Sequence, residues 1–180
     1  MNKKEDDFTY YREIIMDPEL DSSPLADFEK EGFEEAEYCH ILPEKIYTLA
    51  EEFCSRDGMV ETDLAETAFL ILLEKYSNSS AALSAVSVEG RLIPVFVSSE
   101  RHPDFAGYRD AFLSQLEAGR QHTGTRFEEL CAGFGLRSLP FLTSEDRFYR
   151  SFSLSDYKEL DTKICVYFDG EDHGLTVRAK

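Results

Sequence analysis

The sequence contains no tryptophan and, among 180 residues, only three methionines, four cysteines and six prolines. Cys39, Cys54, Cys131 and Cys165 stand far apart and form no CxxC pair. That spacing argues against a zinc ribbon or a redox motif and leaves reduced, mostly buried thiols as the expectation. Long apolar runs are missing as well. The longest, Ala68 to Leu73, falls far short of the ~20 residues that cross a bilayer. Met1 is followed by Asn-Lys-Lys and acids rather than the apolar core of a secretory signal. A cytoplasmic location without a membrane partner is therefore expected. Positive charge is scarce: 19 Lys and Arg face 36 Asp and Glu, for a net charge of −17. Such a chain repels phosphate backbones, which speaks against a nucleic-acid partner. Finally, no two of the histidines His40, His102, His122 and His173 are adjacent, and Ser77 to Ser80 lack a glycine elbow or phosphate loop.

What is present is ordinary for a globular protein, 42% hydrophobic and 31% charged. A chain of this length fits one domain that buries about 70% of its unfolded surface. Charge is unevenly spread, with twelve acids against four Lys and Arg in residues 1 to 36. Residues 1–36 thus read as an acidic, solvated and partly mobile N-terminal extension, and residues 37–180 as the folded lobe. Within the extension, Phe8 to Met16 can pack as a short helix or strand, stopped by Asp17-Pro18.

Glu37 to Leu42 reads as a strand, and Pro43 opens a helix in which Ile46, Leu49, Ala50 and Phe53 recur at helical spacing before Asp57-Gly58. A second helix starts at Thr62 or Asp63, with Glu66 positioned for a capping box. Its apolar residues Leu64, Ala65, Ala68, Phe69, Leu72, Leu73 and Tyr76 predict deep packing over a wide face. Leu83, Ala85 or Val86, and Val88 alternate with serines up to Glu89-Gly90, and Leu92 to Val97 returns as an apolar strand, which together read as a tight hairpin. Pro94 cannot donate to a ladder and belongs at an edge, a bulge or the end of a sheet. His102-Pro103-Asp104 opens a long helix with Phe105, Tyr108, Ala111, Phe112 and Gln115 or Leu116 on one stripe. A helix over Arg126 to Phe134 and strands over Phe148 to Leu154, Lys163 to Phe168 and Gly174 to Arg178 complete the pattern.

Several of these segments, in this order, carry a family likeness. LILLEKYSN ends a helix; the LIPVFV strand follows; His122 precedes Phe127-Glu128-Glu129-Leu130 by five residues; Phe148 and Phe152 share a later strand. From Glu37 onward the chain resembles the C-terminal lobe of the condensation domains of nonribosomal peptide synthetases. Around His122 that family carries His-Gln-Asp-Leu-Pro-Phe-Glu-Arg-Leu, and here Gly124 replaces the usual Asp and Arg126 the usual Pro. The resemblance implies an α/β fold, with a mixed β-sheet packed by helices, like the C-terminal lobe of the chloramphenicol acetyltransferase-like condensation fold. The family's catalytic HHxxxDG lies in the other lobe and occurs nowhere in this chain. The family's long excursion between two strands, which roofs its substrate tunnel, is replaced by Glu89-Gly90. General-base chemistry and substrate positioning are then both missing.

Each remaining candidate has a plainer reading. His122, between Gly119 and Gly124, could act as a base or ligand, but the resemblance implies a structural hydrogen bond. His102 is expected to help cap the long helix. His173, in the turn Asp169 to Gly174 with Glu171 and Asp172, could help carboxylates hold a hard cation, yet the turn lacks the length of an EF-hand loop. Cys39 and His40 are neighbours on a strand and point to opposite faces. No catalytic, cofactor or metal site is therefore assigned. The resemblance implies a non-catalytic partial condensation domain in an initiating module, serving as a platform for an adenylation domain of the same synthetase, with a carrier protein as a further partner. Half of a split enzyme and a free-standing adaptor are the alternatives. The chain's end after a strand, without a closing helix, suggests a piece of a longer protein, with an exposed apolar patch expected near that end.

Overall fold

The hairpin strands form from two kinds of sequence pattern, apolar residues alternating with serines over Ala81–Val88 and an apolar run over Arg91–Ser98. The computed structural model describes residues 3–15, 36–88, 91–135, 141–144, 164–169 and 174–179. The strand expected at Phe148 to Leu154, the Glu89-Gly90 turn and the His173 turn lie outside them. Helix α1 (Lys3–Ile14) precedes β1 (Ala36–Ile41), α2 (Glu44–Asp57) and α3 (Glu61–Ser77). The hairpin β2 (Ala81–Val88) and β3 (Arg91–Ser98) leads to α4 (Phe105–Gln121) and α5 (Phe127–Phe134). Strands β4 (Phe141–Ser144), β5 (Ile164–Asp169) and β6 (Gly174–Ala179) follow.

Six strands form one mixed sheet in the order β1-β6-β5-β4-β2-β3. The β2–β3 pair is antiparallel with Val88 opposite Arg91, as the alternating residues and two-residue turn predict. Strand β4 lies parallel to both β2 and β5, while β6 runs antiparallel to β5 and to β1. Successive residues of a strand face opposite sides, so the hairpin feeds two cores. Ala82, Val86, Ile93, Val95 and Val97 meet Leu70 and Leu73 of α3 and Tyr108, Phe112 and Leu116 of α4. Leu83 and Ala85 meet Tyr11 and Ile15 at the end of α1 and Phe127, Leu130 and Cys131 of α5, with Leu92 and Phe96 packed against them. Each large side chain so buried contributes roughly 1.5–3 kcal/mol. Helices therefore cover both faces of the sheet at its β2–β3 end, consistent with the expected mixed sheet packed by helices.

Pro94 sits opposite Ala85 on β3, the edge strand, where its missing donor costs no ladder bond. The same edge is closed at Phe96 by Gln115 of α4. The Gln115 amide accepts from Phe96 N at 2.9 Å and donates to Phe96 O.

Four sequence expectations change. Helix α3 is capped at Val60 without a side-chain bond, and Asp63 reaches back to the Val60 N–H instead of capping. The helix is also turned relative to its apolar pattern. Leu70 and Leu73 are buried with Glu66, Thr67 and Glu74, whereas Ala68, Leu72 and Tyr76 are exposed. Glu74 is tolerated inside because its Oε1 accepts from Tyr108 OH at 2.9 Å and from Ser99 N at 3.1 Å. The cap of α4 is Asp104, which accepts from Gly107 N at 2.8 Å; the His102 N–H is engaged with Ser98 O. The expectation of mostly buried thiols holds for Cys54 and Cys131, while Cys39 is exposed. Residues 3–15 of the expected solvated extension instead form a helix with Asp7, Tyr11 and Ile15 inside the protein. Strand β4 is an element that the sequence pattern had not indicated.

Candidate functional site

The segment around His122 is built by the end of α4, and α1 clasps it. His122 follows the last turn of α4, its N–H donating to Gly119 O at 2.9 Å. Its ring stacks on Tyr10 of α1, with centroids 4.0 Å apart and planes 8° from parallel. Tyr11 OH donates to His122 O at 3.2 Å and lies 3.5 Å from Gly119 O, and Tyr10 OH donates to Gln115 O at 3.3 Å. Burial, with Tyr10 and Asp7 nearby, pushes the Tyr11 phenol far above its ordinary value, so it remains a donor.

Asp7 is the anchor of this clasp. It is fully buried, and its Oδ2 accepts from Thr125 N at 2.6 Å. Its Oδ1 lies 3.4 Å from His122 Nδ1, which is also 3.9 Å from Asp6 Oδ2. Asp7 Oδ1, His122 Nδ1 and Thr125 Oγ1 are buried without a hydrogen-bond partner among the described residues. Lys4 pairs with Glu129 of α5 at 2.7 Å, and Phe8 lies against Phe134 with centroids 5.7 Å apart. These contacts place His122 in a structural joint between α1, α4 and α5. The sequence reading missed Asp7 and Tyr10. Asp7 lies four residues before Tyr11 on the stripe that continues to Ile14 and Ile15, which is the signal that could have found it.

The other candidates stay apart. His40 is exposed and lies beside Tyr38 on one face of β1, with ring centroids 6.3 Å apart, while Cys39 Sγ lies 3.7 Å from Glu37 Oε1. His102 sits at the start of α4's leading loop, far along that helix from His122. Ser77 Oγ already donates to Leu73 O at 2.7 Å. Burial, followed by the charges of Glu61, Asp63 and Asp57, pushes the Cys54 thiol up, away from a reactive thiolate. Among the described residues, no group of three or more His, Cys, Asp or Glu is placed to hold a metal. No helix among them is long and apolar enough to cross a membrane.

A second feature is exposed apolar surface. Ile46 and Leu49 lie three residues apart on α2, Leu72 and Tyr76 four apart on α3, and each pair shares one helix face. Val60, between these helices, is exposed with them, as are Tyr38 and Ile41 on β1. Since β1 pairs with the last strand β6, the latter two lie beside the C-terminal strand.

Comparison with known proteins gives the fold a family setting. No protein-family model matches the chain, and no curated protein matches it. Solved structures do. A four-domain nonribosomal peptide synthetase bound to AMP and glycine superposes with a TM-score of 0.76 at 12% identity, over 100% of this chain and 18% of that one. The first condensation domain of the calcium-dependent antibiotic synthetase, in complex with a substrate analogue, gives 0.74 at 14% identity, over 99% and 47%. The X-domain from teicoplanin biosynthesis gives 0.70 at 13% identity, over 97% and 48%. This chain thus has the fold of a partial condensation domain and spans about half the length of those two single-domain chains.

Proposed function

We propose that this chain is a non-catalytic condensation-type half-domain of an initiating synthetase module, on which the adenylation domain of the same synthetase rests. The observation that carries this reading is the match of the whole chain to about half of a condensation fold, in a sequence without adjacent histidines and hence without HHxxxDG. A half-fold without the family's base has nothing to deprotonate the attacking amine, and one wall of a tunnel cannot align two tethered substrates. What it keeps is a sheet covered by helices on both faces at its β2–β3 end and an exposed apolar surface on α2 and α3. Interfaces between domains of one chain span about 600–1,500 Å², and Ile46, Leu49, Val60, Leu72 and Tyr76 are the apolar groups from which such a contact is built.

The test is removal of residues 1–180 from the native protein. The adenylation domain is expected to lose yield or thermal stability while keeping its amino-acid preference, because its selecting pocket lies elsewhere. Leu72→Ser with Tyr76→Ser should reproduce that loss in the full protein and leave the isolated lobe's stability nearly unchanged, since both side chains are exposed. The isolated chain should form no peptide bond between two loaded carrier proteins. An adenylation domain equally stable and active without the lobe, or a gene that encodes none in frame, refutes the platform and favours the adaptor. Condensation restored by a separate chain bearing HHxxxDG favours the split enzyme.

A further inference from the structure

Helix α1 lies on the α5 side of the sheet in a groove shaped for it. The floor of the groove is Leu83 and Ala85 of the hairpin, and its walls are the end of α4, the turn that follows, and α5. Three glycines set how closely the helix approaches. A methyl at Gly124 would lie 3.0 Å from Asp7 Oδ2, one at Gly119 would lie 3.4 Å from Tyr11 OH, and one at Gly133 would collide with the Phe8 ring. Each groove position meets one kind of side chain. The Thr125 N–H takes the Asp7 carboxylate, Gly133 and Phe134 take the Phe8 ring, the carbonyls of Gly119 and His122 face Tyr11 OH, and Glu129 takes Lys4. Along α1 these contacts spell Lys-x-x-Asp-Phe-x-x-Tyr, the spacing of a single helix face.

The helix is also separable from its groove. Isolated helices shorter than about 12–15 residues are marginal in water, so α1, with 12 residues, depends on the groove for its helical state. The fit carries an opposing cost. Asp7 Oδ1, His122 Nδ1 and Thr125 Oγ1 are buried at this joint without a hydrogen-bond partner among the described residues, and Asp7 and Thr125 are only 0% and 6% exposed. Water reaches such atoms when α1 lifts away, which favours release. We propose that the groove is a helix-docking site with its own specificity, held by α1 and open to exchange with a partner protein's helix that carries Lys-x-x-Asp-Phe-x-x-Tyr on one face. The acid is the strictest requirement, because any residue without an acceptor there leaves the buried Thr125 N–H unbonded. Exchange frees residues 3–15 and seats the partner on the sheet face opposite α3. This site and the apolar surface on α2 and α3 therefore stand or fall separately.

The experiment uses the full 180-residue chain and, as probe, a fluorescent peptide of residues 3–15. Hydrogen exchange on the chain alone comes first. Amides of α1 are expected to exchange about tenfold or more faster than those of β2 and β3, through an opening that low urea hardly changes. Probe binding is then read by anisotropy in a chain whose own α1 carries Asp7→Ala and Tyr11→Ala, because the weakened helix competes less within the chain. That chain should bind the probe about tenfold or more tightly than the unsubstituted chain does, with slowed exchange at residues 119–134. A probe with Asp7→Ala should bind about tenfold or more weakly. Exchange of α1 at the rate and urea dependence of β2 and β3 overturns the proposal, since the helix then leaves only when the chain unfolds, and that measurement needs no substitution. No binding to the folded double variant at about 1 mM probe, or equal binding by the Asp7→Ala probe, overturns it too. So does protection confined to segments other than 119–134.

Discussion

Replacing Asp7 with alanine removes the buried carboxylate that ties α1 to the turn between α4 and α5. The Thr125 N–H, now bonded to Asp7 Oδ2 at 2.6 Å in a buried site, would lose its acceptor. A hydrogen bond to a charged group contributes about 1.5–3 kcal/mol, and a buried donor left unsatisfied costs about 1–3 kcal/mol. These describe largely the same loss, so the expected destabilisation is about 2–3 kcal/mol rather than their sum. Desolvation of the carboxylate partly offsets it, because the alanine protein no longer holds a buried charge. Asp7→Asn keeps an oxygen for Thr125 N–H and should cost less, about 1 kcal/mol. Lys4→Ala, which breaks only the half-exposed pair with Glu129, should fall within about 0.5 kcal/mol. Urea unfolding at neutral pH ranks the three, and in a domain of this size 2–3 kcal/mol corresponds to a melting shift of roughly 4–12 °C. If Asp7→Ala unfolds within about 0.5 kcal/mol of the parent, α1 is not clasped through Asp7 and the joint around His122 has been misread.

Two further predictions follow from close packing and from buried phenols. A methyl at Gly119 would collide with Ile93 Cγ2, in the core and unable to yield. Gly119→Ala gains about 1 kcal/mol of helix propensity but incurs about 1–3 kcal/mol of overpacking, so calorimetry should show a net loss of up to about 2 kcal/mol despite the better helix former. Tyr108 is held well above the ordinary tyrosine range by burial and then by Glu74, and Tyr11 by burial. Their folded values are raised, so their contribution is complete below the unfolded value near 10 and is lost as pH rises beyond it. Melting temperature should fall steeply above about pH 10, and less steeply in Tyr108→Phe; an identical slope in that variant would count against the assignment.

The helices and the hairpin were legible because their signals are local: the apolar spacing of α4, Pro43 before α2, and Val88 and Arg91 flanking a two-residue turn. The orientation of α3 was not, because its apolar residues surround much of the helix. Its inner face carries Glu74, whose acceptor contacts with Tyr108 and Ser99 come from residues remote in sequence. Strand β4 has four residues, too few for a period, and its pairing is parallel on both sides. Asp7 lay within an acidic run whose charge suggested solvent. Its partner, Thr125, is 118 residues away. The family likeness supplied the sheet and helix architecture, but the contacts of α1 could be read only from the folded chain.

The pairing of β1 with β6 has a consequence in time. Ile41 lies opposite Gly174, 133 residues later. At about 5–20 residues per second, a growing chain leaves β1 without its only described neighbour for on the order of ten seconds. During that interval both edges of β1 are bare, while the β2–β3 hairpin can already form from adjacent residues. Long-range pairing of this kind is slow relative to hairpin closure. The nascent lobe should therefore be most vulnerable to misassociation at its first strand, and the acidic residues leading into that strand keep like-charged copies apart while it waits.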